Sequence, residues 1–305
     1  MLSKVDLQEL ERFAVELAWG VGQLLLEYFQ KPIDVEYKSK ERQRDPVSEA
    51  DRQAETFIKE QVSKRFPDHG IIGEEGAGEG DEIADCTWVV DPLDGTTNFV
   101  NGFPLFASSI AMLEKGVPVV AAIFIPWPAQ SCGVVLHAHK GGGSWEGEKK
   151  LHVRSGDQII PNGLVGMPRW FDRMFKVGGL LQPYQGERRV SGSVVYELAM
   201  VASGVLQYSV HGSPHIWDVA AGILLVQESG GGILTRRKRG NDWHSFEAFS
   251  FPSQESTVIQ QDLRLWQAPI LAANHERVHL LGESLTPRRY RIRPLIRSLR
   301  AKFRF

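Results

Sequence analysis

Three acids in this sequence close apolar runs. Glu74 follows Ile71-Ile72-Gly73, Asp91 follows Trp88-Val89-Val90, and Asp94 comes after Pro92 and Leu93. The run before Asp91 has the length and β-branching of a core strand. Pro92 sets its own φ and biases Asp91 to an extended backbone, so a tight bend turns Asp91 and Asp94 toward one point. Gly95-Thr96-Thr97 follows, where a glycine lets the backbone approach a ligand closely beside two hydroxyls. Two carboxylates and a run of free amides suit a divalent cation together with a phosphate. Glu74 adds a third carboxylate if its strand lies beside that of Asp91. Asp218 falls in the first turn of an apolar helix. It either caps that helix or, where the helix meets the first three acids, supplies a fourth ligand.

The elements that must position these groups follow from periodicity. Residues 5–31 carry Leu10, Phe13, Ala14, Leu17, Val21, Leu24 and Leu25 at helical spacing. A short strand at 34–38 and a charged loop at 39–44 lead to a helix over 51–66. Ser48 is its candidate cap, and Asp51 in its first turn is read as stabilising the helix dipole by ~0.3–1 kcal/mol. Runs at 107–113, 118–125 and 132–138 and a hairpin at 141–145 predict an antiparallel sheet. Gly141-Gly142-Gly143 reads as its turn, because no dinucleotide fingerprint surrounds it. His137 and His139 share one strand face and are expected at the surface. Strands at 163–167, 188–190 and 206–210 then alternate with helices at 168–181, 193–203 and 219–229, an α/β pattern with a partly parallel sheet. Residues 236–268 read as a surface excursion, 269–273 as a last strand and 276–285 as a last helix. The division expected is 1–155, an α+β half with the main acidic motif; 156–285, an α/β half supplying Asp218; and a tail, 286–305.

With 42% hydrophobic and 24% charged residues, the chain can bury a sizeable core and has ordinary soluble composition. No apolar stretch approaches the ~18 residues of a membrane span. No signal-peptide core opens it, and two cysteines fit a reducing compartment, so the expected location is cytoplasmic. The net charge of −2 is uneven: eight of the 35 basic residues lie in 286–305, which has no acid, leaving 27 against 37 in the rest. The tail could form a basic amphipathic helix for anionic lipid or nucleic acid, or be a solvated appendage.

Gly73-Glu74-Glu75, the stretch Asp91-Pro92-Leu93-Asp94-Gly95-Thr96-Thr97-Asn98-Phe99, and Trp217-Asp218-Val219-Ala220-Ala221-Gly222 together resemble the signature set of the inositol monophosphatase family, within the metal-dependent, lithium-sensitive phosphatases. The resemblance covers roughly residues 5–285. It implies a layered αβαβα sugar-phosphatase fold, of mixed α+β and α/β character, a homodimer, and Mg²⁺ as cofactor. By position, Glu74, Asp91, the Leu93 carbonyl, Asp94 and Asp218 match the family's metal ligands. Asp51, Glu74 and Thr96 match residues that hold or activate the attacking water. On the substrate side the matches are Leu93, Asp94, Gly95, Thr96, Gly192, Ser193 and Asp218. Two cations ~3.5–4 Å apart can clamp the attacking and leaving oxygens of an in-line displacement. No covalent nucleophile is needed, in keeping with the lack of a Ser/His/Asp or Cys/His constellation at useful spacing.

The animal inositol enzymes carry an acid seven residues before the Trp-Asp aspartate, where it contacts an inositol hydroxyl. Here that position is His211, whose neutral ring would offer the substrate one acceptor nitrogen. Thr97-Asn98 differs from the Lys-Glu pair of the nucleotide-phosphatase branch. The resemblance therefore implies Mg²⁺-dependent hydrolysis of a small polyol or sugar phosphate, with fructose-1,6-bisphosphate and histidinol phosphate as alternatives. A reading of another class is a regulatory protein that binds RNA or membrane through 286–305.

Overall fold

The computed structural model describes residues 2–31, 35–39, 44–74, 76, 84–126, 132–236, 242–249 and 263–288, with the backbone alone for 35–39 and 44–48. Helix α1 (Lys4–Tyr28) starts at a capping box. The Ser3 hydroxyl accepts from the Asp6 amide, and the Asp6 carboxylate accepts from the Ser3 amide. The hairpin β1 (Val35–Ser39) and β2 (Arg44–Ser48) follows, then α2 (Glu49–Arg65). The stretch leading into α2 is thus a strand, and the loop expected over 39–44 gives up both its ends, Ser39 and Arg44, to the hairpin. The Ser48 side chain, expected as a cap, lies outside the described residues.

The first sheet has seven strands in chain order: β3 (Gly70–Gly73), β4 (Cys86–Asp94), β5 (Ala107–Glu114), β6 (Val117–Ile125), β7 (Val134–His139), β8 (Gly143–Glu146) and β9 (Lys149–Lys150). Strand β3 runs parallel to β4 and every later neighbour is antiparallel. A short helix, α3 (Thr96–Val100), joins β4 to β5. Alternation along the strands feeds two cores: Trp88 and Val90 pack under α1 and α2, while Val89 points to the opposite face.

The chain continues through β10 (Leu164–Gly166), α4 (Phe171–Met174), β11 (Phe175–Val177), β12 (Glu187–Arg189), α5 (Val194–Ala202), β13 (Leu206–His211), α6 (Ile216–Glu228), β14 (Gly231–Thr235), β15 (His244–Ser245), β16 (Ile270–Asn274), α7 (His275–Ser284) and β17 (Leu285–Pro287). Six of these strands form the second sheet, in the order β12-β10-β13-β16-β14-β15. Only β10 pairs in parallel, with both of its neighbours.

Helices α5 and α6 lie between the two sheets, and α7 covers the far side of the second, giving five layers: α, β, α, β, α. That position explains why α6 is apolar nearly all round. Every residue from Ile216 to Val226 is buried except Asp218.

Two expectations are corrected. The helix expected over 168–181 is one turn, α4, followed by β11, which pairs with β17 more than a hundred residues away, and a 3₁₀ turn at Gly179–Leu181. Gly179 at φ +50° breaks the helical path there. The described part of 236–268 is not purely a surface excursion: Leu265 is exposed, but Phe246, Phe249, Leu263 and Trp266 are buried in the core that holds Val89, α5 and α6. Residues 237–241 and 250–262 lie outside the described residues.

Candidate active site

Strand β4 does not end at Asp91. It runs through Pro92 to Asp94, with Asp91 opposite Ser109 and Asp94 opposite Ala107. Three steps on β4 therefore face two on β5, which is a β-bulge. In a regular strand, residues three apart point to opposite faces, and one extra residue restores both to the same face. Pro92 suits the bulge because it has no amide to donate to the ladder. The tight bend expected at Pro92 is corrected accordingly.

Asp91 is 1% exposed, and its Oδ1 accepts the Leu93 amide at 3.1 Å. Strand β3 beside β4 pairs Gly73 with Val90, so the turn after β3 sets half-buried Glu74 next to Asp91. Burial and the negative charges of Glu74, Asp94, Asp218 and Asp51 push the Asp91 carboxyl well above the ordinary range. Glu74, Asp94, Asp218 and Asp51 therefore all lie within electrostatic reach of Asp91. Burial, with the Glu74 charge beside it, also raises Asp94, to about 6, against hydrogen bonds that favour its ionised form. Its Oδ2 accepts the Ser193 hydroxyl at 2.7 Å and the Val195 amide at 2.6 Å.

Asp51, in the first turn of α2, is buried and bound to this centre. Thr96 Oγ lies 3.2 Å from Asp51 Oδ1 and 2.9 Å from the Leu93 carbonyl, both of which accept. Stabilising the helix dipole is thus not its only role. Gly95 holds φ +88°, and a Cβ there would sit 2.9 Å from the Leu105 carbonyl oxygen and 3.3 Å from Ser193 Cβ. Asp218 caps α6, accepting the His215 amide at 2.7 Å, while α6 carries it to the acids of the first sheet. The two readings of Asp218 coexist. Arg264 donates to the Glu74 carbonyl at 3.5 Å, which brings the 263–268 segment to this corner.

The model of the inositol monophosphatase family matches residues 6–276. The chain belongs to the inositol monophosphatase family. This is a family of phosphoric monoester hydrolases that is generally metal-dependent. The chain is 35% identical over 228 residues to the chloroplastic phosphatase IMPL1 of Arabidopsis thaliana, matching 72% of this chain and 60% of that relative's length. It is 31% identical over 223 residues to the fructose-1,6-bisphosphatase/inositol-1-monophosphatase of Aquifex aeolicus, matching 69% of this chain and 79% of the relative. Among solved structures, the extragenic suppressor protein suhB of Bartonella henselae superposes with a TM-score of 0.68 at 26% identity, covering 90% of this chain and 98% of that one. The layered fold is the one shared with these relatives.

The donors fit a hard divalent cation in kind: carboxylates and one carbonyl, gathered where negative charge is in surplus. As placed, no three His, Cys, Asp or Glu among the described residues stand close enough to hold one ion. The expected ligand shell is thus gathered but not closed. Like charges at Asp91, Asp94 and Asp218 repel, and each of these carboxylates turns an oxygen to a protein donor: the Leu93 amide, the Ser193 hydroxyl and the His215 amide.

His211 is corrected as a substrate contact. It is 4% exposed, Nε2 lies 2.9 Å from Ser209 Oγ, and Nδ1 faces Glu197 Oε2 at 3.7 Å. Burial lowers its pKa to about 4, so the ring is neutral, and both nitrogens face protein. Gly192, at φ +82°, lies against Asn98, whose amide donates to the Ser191 carbonyl at 2.7 Å and the Leu105 carbonyl at 2.6 Å.

His137 and His139 are also not free surface groups. Their Nδ1 atoms meet the two Glu11 carboxylate oxygens of α1 at 2.8 and 2.6 Å, and His139 is buried. Sequence reasoning missed Glu197, buried in α5 and raised to about 7 chiefly by that burial. The available signal was one acid inside Val194-Val195-Tyr196-Glu197-Leu198-Ala199-Met200. Of the tail, 289–305 lie outside the described residues, and with them the lipid or nucleic-acid contact considered for it. No helix among the described residues is long and apolar enough to cross a membrane.

Proposed function

We propose that this chain hydrolyses the phosphate monoester of a small polyol or sugar, of the inositol 1-phosphate type, in an Mg²⁺-dependent reaction, as a cytoplasmic homodimer. The observation that carries the reading is that Glu74, Asp94, Asp218 and Asp51, brought by the turn after β3, by β4, by α6 and by α2, all bear on the buried Asp91. Glu74, Asp91, the Leu93 carbonyl, Asp94 and Asp218 would hold the cation. Bound there, Mg²⁺ supplies charge neutralisation for a phosphoryl group and lowers the pKa of water.

The chain's own groups do the rest. Thr96, bridged to Asp51 and Leu93, fixes a hydroxyl that can orient an attacking water, with Glu74 beside Asp91 able to take its proton. Gly95 leaves space at the backbone where a side chain would collide with Leu105, so that the phosphate can reach the Gly95 and Thr96 amides. Asp94 and Ser193, joined at 2.7 Å, stand on the alcohol side with Gly192. The Aquifex relative's name joins a bisphosphate and a monophosphate substrate. With both nitrogens of His211 turned inward, we assign the alcohol contacts here to Ser193, Gly192 and Asp218.

The test is phosphate release from a panel of inositol, fructose, histidinol and glycerol phosphates with and without Mg²⁺. Turnover by wild type that disappears in Asp94→Asn supports the reading. Absence of Mg²⁺-dependent turnover across the panel refutes it.

A further inference from the structure

Glu197 is 6% exposed in a helix otherwise buried between two sheets. A buried carboxylate costs several kcal/mol unless donors meet it. Its Oε1 accepts the Ser191 amide at 3.1 Å and the Ser191 hydroxyl at 2.7 Å. Its Oε2 faces His211 Nδ1 at 3.7 Å and fills the space above Gly166, where a Cβ would lie 2.6 Å away. Helix capping does not explain this arrangement, because Ser193 already caps α5 by accepting the Tyr196 amide.

The network leads to the site. With the Ser191 hydroxyl directed at Glu197, its oxygen accepts the Ser193 amide at 3.1 Å. Ser193 Oγ then donates to Asp94. Without Glu197 the same hydroxyl has an alternative acceptor in the Ser193 carbonyl, 2.9 Å away. Asn98 holds the turn from the other side, through the Ser191 carbonyl.

We propose that Glu197 is a positioning residue: it locks the turn Ser191-Gly192-Ser193 at the spacing from Asp94 that admits the alcohol half of the substrate, and so governs which alcohol is accepted. This rests on the phosphatase reading above. The lock needs an acceptor oxygen at Oε1 rather than a charge. Glu197→Gln keeps that oxygen, Glu197→Ala removes it, and Ser191→Ala removes the donor while leaving Glu197 in place.

The experiment measures kcat and KM of purified full-length protein with Mg²⁺ on inositol 1-phosphate and on p-nitrophenyl phosphate, whose alcohol offers no hydroxyls. Losing one positioned hydrogen bond to the alcohol, worth about 1.4 kcal/mol, is a tenfold effect. Glu197→Ala and Ser191→Ala are expected to raise KM for inositol 1-phosphate about tenfold and to leave p-nitrophenyl phosphate within about twofold. Glu197→Gln is expected to restore the wild-type ratio. Equal losses on both esters, no loss on either, or no rescue by glutamine overturns the inference and leaves the phosphatase reading intact. If Glu197→Ala does not fold, Ser191→Ala and Glu197→Gln give the same comparison. Absence of Mg²⁺-dependent turnover in wild type refutes the reading and this inference with it.

Discussion

Glu197 and His211 face each other at 3.7 Å, yet burial pushes their pKa values in opposite directions. The Glu197 pKa goes from 4.5 to about 7 and that of His211 from 6.5 to about 4. For His211, the unfolded chain takes up a proton first. The stability it contributes is complete above 6.5 and is lost as pH falls toward 4. For Glu197, the ionised form is penalised in the fold. Its contribution is complete below 4.5 and is lost as pH rises through 7. Proton linkage over pH 7.5 to 4.5 then gives a loss from His211 and a gain from Glu197, each about 2–3 kcal/mol. In the wild type these nearly cancel.

Single substitutions should separate the two effects. On acidification from pH 7.5 to 4.5, Glu197→Gln keeps only the His211 loss and should fall by about 2–3 kcal/mol relative to wild type. His211→Gln keeps only the Glu197 gain and should rise by about 2–3 kcal/mol. The Asp94 charge also bears on Glu197, so the Glu197→Gln difference includes the loss of that repulsion. Urea unfolding of wild type and both variants at fixed Mg²⁺, at half-unit pH steps, measures this directly. Three curves parallel within about 0.5 kcal/mol would show that neither group titrates as a buried one, and the account of this pair would be abandoned.

Three other substitutions probe the remaining contacts. Gly95→Ala places a side chain at φ +88° and 2.9 Å from the Leu105 carbonyl oxygen. The conformation alone costs about 1–2 kcal/mol, so a lower Tm together with weaker phosphate release is expected, and an unchanged Tm would argue against the placement. Thr96→Val removes the hydroxyl near Asp51 and Leu93. It should lower kcat by ~10²–10⁴, with recovery in Thr96→Ser, and a Val variant at wild-type kcat would exclude Thr96 from orienting water. Glu11→Gln leaves one acceptor oxygen for two imidazoles. It should cost about 1–3 kcal/mol in urea unfolding with kcat and KM unchanged, and equal stability would show that the contact is not formed in solution.

The acids were legible because local sequence marks them: each ends or opens an apolar run, and the length of such a run identifies its element. The same runs predicted an antiparallel sheet and an α/β half, while the layering of the two came from the resemblance to the family. What could not be read depends on partners far along the chain. The parity that brings Asp91 and Asp94 to one face is set by pairing with Ser109 and Ala107, so Pro92 alone suggested a bend. His137 and His139 pair with Glu11, 126 and 128 residues away, and nothing in their own strand announces it. His211 looked like a substrate contact by position, yet its ring turns inward because Ser209 and Glu197 receive it. Glu197 was legible in principle, as a charge with no local reason to lie inside an apolar helix.

The placement of Asp218 shows why the site requires both sheets. The negative charges gathered there raise Asp91 and Asp94, so the cluster opposes folding, and the elements that carry it must draw their stability elsewhere. Strand β4 does so by pairing with β3 on one side and β5 on the other, with Trp88, Val89 and Val90 fully buried. Helix α6 does so by packing against both sheets, which fixes its axis and hence the position of its first turn. A helix on the surface would be free to tilt and carry Asp218 away from Asp91. Enclosed between two sheets, it cannot relieve the repulsion by moving as a body. What remains to these carboxylates is rotation of side chains, and here Asp94 directs an oxygen to Ser193 and Asp218 one to the His215 amide. A bound cation would therefore be met by side chains that turn on a fixed backbone, so the order in the site is set by the two sheets before any ligand arrives.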